Sequence, residues 1–367
     1  MKLVLVQCAR LLAALLGLYV VALGTSLWLL PPVVVGDRLD TARAASSLFA
    51  TEPKYLFLAR SRLDSEADKV LLLGASNAMI GFKQEQVEPL LPKVEVHNIS
   101  VGGSNITQIG QIVDLVREVQ SPAARQHDTY VLGLWYGLFA DDKARWYTPD
   151  RHPGDTDIDI ERYRYGFERR TERGPVPVLP AKDLAAGVLL IHPYLLLDRT
   201  TRDLTESFRA LISAKQPAKT DEERNSVALN APQKSQYLAF WREYMGFADR
   251  MSESPFTQLS RIIDGILADG GRVLVVDMPI PDWHSKGSPL WADYRRHIDP
   301  MLSQLQTRER ASVLRMGDEN ADADFEDEVH PKPRVAPRWA QRLASALNAG
   351  EKLKRAQAVN DVNAGSL

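Results

Sequence analysis

The stretch Lys69-Val70-Leu71-Leu72-Leu73-Gly74-Ala75-Ser76-Asn77 decides how the rest of the chain is read. Its unbroken aliphatic run describes a buried strand, without the apolar-polar alternation of a half-exposed one. The run ends at Gly74, and a helical pattern begins after a short loop, so Ser76 stands at the carboxyl end of a strand. Open α/β sheets bind their ligands there, and a hydroxyl on a strand-to-helix turn also meets the positive end of the helix. Ser76 is therefore the candidate nucleophile, and the remaining chain must supply a base, an acid and oxyanion donors.

Outward from this point strands and helices alternate. Residues 83–91 read as a helix and 94–98 as a second strand. Asn105 to Val119 reads as an amphipathic helix, because Ile106, Ile109, Ile112, Val113, Leu115 and Val116 recur at helical spacing. Thr129 to Leu134 is a third strand. A helix from Phe256 to Ala268, stopped by Gly270-Gly271, leads into a fourth at Arg272 to Asp277; the fifth is Ser312 to Met316, and Pro337 to Ala349 makes a closing helix. This order predicts an α/β fold, a three-layer α/β/α sandwich around a five-stranded parallel sheet, as a domain over residues 68–349.

The interval between the third and fourth strands is far longer than one crossover needs, so residues 141–235 read as an insertion or lid. It contains an Arg- and Tyr-rich piece (Arg162, Tyr163, Arg164, Tyr165, Arg169, Arg170) and an apolar piece, Leu184 to Leu197, interrupted by Pro193. The apolar piece reads as a helix packed on the core; contact with a membrane or an acyl chain is the alternative. Residues 215–235 read as a loop, 37–67 as a helical stalk and 350–367 as a disordered tail.

Apolar residues make up 45% of the 367, charged residues 25%, and the net charge is -2. This ordinary balance lacks the basic excess of a phosphate-binding surface, so no nucleic-acid partner is expected. Cys8 is the only cysteine, which excludes an internal disulfide and a cysteine-based metal site. From Leu11 to Gly36 there is no charged residue, with Lys2 and Arg10 on the amino-terminal side. Such a run is long enough to cross a hydrocarbon core of about 30 Å. The flanking positive charges hold the short tail in the cytoplasm, so residues 1–36 read as an uncleaved transmembrane signal-anchor. The expectation is a single-pass protein of the inner (cytoplasmic) membrane with its domain in the periplasm. A cleaved signal peptide would use Ala22-Leu23-Gly24, but the apolar run continues through Trp28 to Val35. A lipoprotein reading fails because Gln7 precedes Cys8 and the apolar segment follows it.

Four features follow the strands in order. Ser76 comes first. Asn98-Ile99-Ser100-Val101-Gly102-Gly103-Ser104 follows the second strand, and two glycines opening a helix present backbone N–H groups to an anion. Gly133-Leu134-Trp135-Tyr136-Gly137 follows the third, and its aromatic side chains either line a pocket or pack in the core. Asp327-Glu328-Val329-His330-Pro331 precedes the last helix; a carboxylate three residues before an imidazole can bond its Nδ1 and turn Nε2 towards a serine. Asp282-Trp283-His284 also puts an acid near an imidazole, and reads as shaping the pocket rim. His97, His127, His152, His192 and His297 have no metal-ligand spacing, so no metal is assigned.

With these features in view, the chain resembles the SGNH, or GDSL-type, hydrolase superfamily over residues 69–135 and 270–348. The resemblance implies a flavodoxin-like sheet, Ser76 as the block-one nucleophile, Gly103 as the block-two oxyanion glycine, and Asp327 with His330 as the block-five Asp-x-x-His pair. Ala75 stands where the family often has aspartate. The block-three Gly-x-Asn has no counterpart, since Trp135 and Tyr136 follow the third strand. Oxyanion and substrate binding then rest on the Ser76 and Gly103 amides with Asn77, Trp135 and Tyr136. In layout the chain is similar to membrane-anchored branches that acylate cell-surface polymers, the DltD-like and alginate O-acetylation proteins. This implies a serine enzyme moving an acyl group, such as acetyl, to or from an envelope polysaccharide through an acyl-serine. Its partners would be an acyl donor, a glycan acceptor and a membrane-bound acyl-transfer protein; no cofactor is expected. Resolution by water would make it an esterase or lipase of small acyl esters. A non-catalytic accessory protein would hold Ser76 and His330 apart.

Overall fold

The structure, a computed structural model, describes residues 2–29, 34–35, 38–39, 60–140, 168–172, 174–178, 184–212, 219–246 and 249–349. The expected tail at 350–367, most of the expected stalk and Arg162 to Tyr165 lie outside the described residues. The chain divides into two compact units: Met1–Arg62 with Asp155–Ala218, and Leu63–Gly154 with Lys219–Leu367. That division cuts through the expected insertion, since its part from Lys219 onward belongs with the sheet.

The first unit is built on the helix Lys2–Leu29. At 28 residues it is about 42 Å long, enough to cross a membrane. Ser26, its buried residue, donates its hydroxyl back to the Leu23 carbonyl (2.8 Å). The same unit holds a short antiparallel hairpin, Glu168–Thr171 with Gly174–Pro177, and the helices Leu184–Leu190 and His192–Ile212.

The second unit is an α/β structure around five strands: β1 (Lys69–Gly74), β2 (Glu95–Asn98), β3 (Asp128–Leu134), β4 (Arg272–Asp277) and β5 (Ala311–Arg315). All pairings are parallel, in the order β2-β1-β3-β4-β5. The order reverses between β1 and β3, which opens a crevice beyond their carboxyl ends. Val70 to Leu73 are each at most 3% exposed. Burial of such side chains stabilises by about 1.5–3 kcal/mol apiece and holds the crevice on a rigid base. Lys69 and Asp128 open the paired strands β1 and β3 as a fully buried ion pair at 3.4 Å.

The helices of this unit used below are α1 (Ser76–Gly81), α2 (Ile106–Val119), α3 (Ala231–Tyr244), α4 (Ser254–Ala268), α5 (Asp282–Gly287), α6 (Pro289–Leu305) and α7 (336–349). Helix α2 starts on a reciprocal cap: the Asn105 side chain accepts from the Gln108 amide, and the Gln108 side chain accepts from the Asn105 amide (3.0 Å each). The expected helix over 83–91 is instead a single turn, Gln84–Val87, followed by the 3-10 turn Glu88–Leu90. Pro89 breaks it, having no N–H for the helical ladder. The expected loop at 215–235 contains the helix Asp221–Ser226, capped reciprocally by Thr220 and Glu223, and the start of α3. Helix α6 has an apolar row, Leu290, Tyr294, Ile298, Leu302 and Leu305, that is buried throughout.

Candidate active site

Ser76 is the first residue of α1, immediately beyond β1. Two glycines bring that helix onto the sheet. A Cβ on Gly74 would stand 2.6 Å from the Ala78 Cβ, and one on Gly133 would stand 2.8 Å from it. Neither strand end therefore tolerates a side chain, and Ser76 is held low over the crevice. The loop after β2 is tied to the same point: the Val101 amide and the Ser104 hydroxyl both donate to the Gly74 carbonyl, at 2.9 and 3.1 Å. Asn98 Nδ2 closes the other end of α1 by donating to the Met79 and Phe82 carbonyls (3.2 and 2.9 Å). Gly102 and Gly103 are exposed, and a Cβ on Gly102 would lie 3.9 Å from that of Ser76. Gly103 has φ +69°, the left-handed conformation that glycine adopts without strain.

The second half of the site is the turn from Phe325 to Pro331, which pair as an isolated antiparallel bridge. The Glu326 amide donates to the His330 carbonyl (3.0 Å), which closes the loop. Asp327 organises its interior. Its Oδ1 accepts from the Val329 and His330 amides at 2.9 and 2.7 Å, and its Oδ2 lies 2.6 Å from His330 Nδ1. On the other side of the ring, Nε2 is 2.6 Å from Ser76 Oγ. A carboxylate only accepts, so Nδ1 carries the proton, and Nε2 presents its lone pair to the serine hydroxyl. Burial opposes charge on the imidazole, but the Asp327 hydrogen bond and charge, with Glu328 and Glu326 behind them, outweigh it and raise the His330 pKa. Burial also works against ionised Asp327, yet its bonds to His330 and to the two amides hold its pKa below the usual value. The trio is thus an ionised acid, an oriented base and a hydroxyl in line.

Other bonds set the turn in place. Arg224 grips Glu326 with two bonds of 2.7 Å, and Arg338 joins Glu319 to Asp324 (2.8 Å each). Beneath the turn, His284 is fully buried. Its Nδ1 lies 2.7 Å from the Glu328 carbonyl and its Nε2 lies 2.5 Å from the Tyr136 hydroxyl. The carbonyl requires a proton on Nδ1, so Tyr136 donates to Nε2. Burial lowers the His284 pKa to about 4, in keeping with a neutral ring. Trp241 on α3 donates to Glu328 Oε1 (3.3 Å) and meets Trp135 edge-on at 4.7 Å between ring centres.

The residues named from sequence therefore divide. Ser76, His330 and Asp327 form one hydrogen-bonded chain, and Gly103 lies on the glycine loop beside it. Tyr136 is buried with its hydroxyl committed to His284, which removes the donor expected from it. Trp135 is nearly buried with an unpartnered Nε1, and Asn77 is fully buried with an unpartnered Nδ2. Asp282 and His284 do not pair, because residues two apart on α5 face different ways; Asp282 bonds Lys286 instead. Trp241 and Arg224 have no counterpart among the sequence motifs, and Glu328 has no role in them. Only Glu328, inside the Asp327 to His330 motif, carried a local signal.

Among the described residues, Glu326, Asp327 and His330 form one group whose ligand atoms lie within 4.8 Å of one another. A cation there would have to displace both Arg224 and the Asp327 bond to His330. A cavity of about 360 Å³ adjoins Asp327, walled in part by Val227, Leu229, Lys234, Trp283 and Lys332. No protein-family model matches the chain, and no curated protein matches it.

Proposed function

We propose that the chain is a membrane-anchored serine acyl enzyme of SGNH type, with its sheet as the centre of a three-layer sandwich and its domain on the extracytoplasmic side of the inner membrane. The observation that carries this reading is the continuous chain from Ser76 Oγ through His330 to Asp327, with both bonds at 2.6 Å. His330 Nε2 takes the Ser76 proton as Oγ attacks the carbonyl of an acyl donor, and Asp327 stabilises the imidazolium. The tetrahedral oxyanion is met by the Ser76 amide, which as the first of its helix has no intrahelical acceptor, and by the Gly103 amide. The imidazolium then protonates the departing group and leaves an acyl-serine. A hydroxyl of an envelope polysaccharide, deprotonated by His330, attacks that ester and releases Ser76.

The exposed glycine loop beside the serine favours a large acceptor over a closed hydrolytic pocket. The anchor puts the site near a membrane-borne acyl donor, for which Lys2 and Arg10 set the orientation. An accessory role implies Ser76 and His330 apart, and their contact supports the catalytic reading instead.

The test is p-nitrophenol release from p-nitrophenyl acetate by the full chain in detergent. A burst of about one equivalent is expected, lost in both Ser76→Ala and His330→Ala. Acetylated and non-acetylated envelope glycans added after the burst should draw off the acyl group faster than water does. Equal release by wild type and both variants would reject the acyl-serine.

A further inference from the structure

The unit that carries the amino-terminal helix also carries a charge-free run, Leu184 to Leu197, bounded by Asp183 and Asp198. Its length is that of a re-entrant or interfacial segment rather than a full span. The two helices over this region continue one ladder through Ile191, whose amide donates to the Gly187 carbonyl and whose carbonyl accepts from Leu195 (3.1 Å each). The longer helix, His192–Ile212, packs along Lys2–Leu29, and the Tyr19 hydroxyl donates to the Leu190 carbonyl. Val188, His192 and Leu195 make the buried face.

The opposite face is exposed. Leu190, Tyr194, Leu197, Leu204 and Phe208 are between 48% and 65% exposed, and their spacing sets them in one row. Thr201 falls in the same row, but its hydroxyl donates to the Leu197 carbonyl (2.8 Å), which withdraws its polar hydrogen from the surface. Water is a poor neighbour for a row of this extent. The occupant follows from the tie to Tyr19, which lies inside the charge-free stretch Leu11 to Leu29. Whatever is bonded there stands level with that stretch. Leu12, Leu16 and Val20 of the same helix are also exposed, so both helices offer apolar surface in one unit.

We propose that the helical segment 184–212 is a second, interfacial membrane element, its Leu190 to Phe208 row facing the acyl chains of the bilayer that holds the amino-terminal helix while the Arg199–Asp203 ion pair stays at the head groups. This rests on the reading of that helix as a membrane span. Because Cys8 is the only cysteine, a Cys8→Ser background accepts single environment-sensitive labels. The full chain would carry NBD at Leu197→Cys or Leu204→Cys, with Leu16→Cys as the span reference and Glu222→Cys as the aqueous one. It would be reconstituted in phosphatidylethanolamine and phosphatidylglycerol vesicles, with and without nitroxide on the acyl chains. All four positions are exposed, so the labels displace no core residue. The expected result is loss of at least half as much fluorescence at Leu197 and Leu204 as at Leu16, and none at Glu222. Quenching at Leu16 but no more at Leu197 than at Glu222 overturns the proposal while the span stands. A blue-shifted, unquenched label at Leu197 also overturns it, because the row is then covered by protein, such as a second copy. No quenching at Leu16 overturns the span and the proposal with it.

Discussion

Replacing Asp327 by asparagine keeps the size of the side chain and removes one acceptor. Asp327 uses both oxygens: Oδ1 takes the Val329 and His330 amides, and Oδ2 takes His330 Nδ1. The single oxygen of asparagine can serve the two amides or the ring. Two fixed amide donors hold it on the backbone side, so the NH2 group turns to His330 and makes Nδ1 the acceptor. The proton then moves to Nε2, 2.6 Å from Ser76 Oγ, and the ring can no longer take the serine proton. A misplaced tautomer of this kind costs about 10⁴ in rate, or about 5.4 kcal/mol of transition-state stabilisation. The raised pKa of His330 also falls, since Asp327 is its main support. The assay is single-turnover acylation of Asp327→Asn by p-nitrophenyl acetate, with a thermal melt to show that the turn still folds. Acylation within tenfold of wild type by a folded variant would refute the assignment of Asp327 and His330 as the base.

Three other outcomes follow from the same structure. Glu328→Gln removes a negative charge that raises the His330 pKa, so the acidic limb of the pH–kcat/KM profile should move to lower pH; an unmoved limb contradicts the coupling. Lys69→Met leaves Asp128 buried without its cation and should cost about 3–5 kcal/mol at pH 8, read by urea unfolding. Burial, the largest influence on Asp128, raises its pKa to about 6. At this carboxyl the folded state therefore binds more protons than the unfolded one from about pH 4 to 6, and its contribution to stability falls as pH rises through that window. The cost of Lys69→Met should accordingly shrink at pH 4, where Asp128 is neutral, and an equal cost at both pH values counts against the pair. Gly81→Ala would put a Cβ 2.6 Å from the buried Trp339 ring of α7, with an expected loss of about 1–3 kcal/mol and a lower Tm; an unchanged Tm would mean that this contact between α1 and α7 yields.

Much of the sheet could be read directly, because each strand is a short aliphatic run between turn residues. The five expected strands agree with β1 to β5 to within a residue at each end. The helix starting at Asn105 was legible from its spacing alone. The structure departs from the pattern where a local feature intervenes: Pro89 splits 83–91, the Thr220 and Glu223 cap starts a helix inside an apparent loop, and α6 carries a regular buried row. The order Ser76, Gly103, Asp327, His330 and the aromatic residues after β3 were also legible, since a short motif states residue types and spacing.

Distance and commitment of donors were not. Ser76 and His330 are far apart in the chain, and only the approach of α1 to the sheet and the stapled turn at Asp327 bring them into contact. Tyr136 looked available as an oxyanion donor until the fold buried it against His284, while Asn77 and Trp135 kept unpartnered donors. The apolar segment at 184–197 showed what it avoids but not what it packs on. Periodicity and motif are properties of neighbours along the chain, so sequence alone determined the strands, the apolar amino-terminal helix and the chemistry-bearing residue types. Which donor meets which acceptor depends on groups brought together by burial of remote surfaces, and that only the tertiary structure decided.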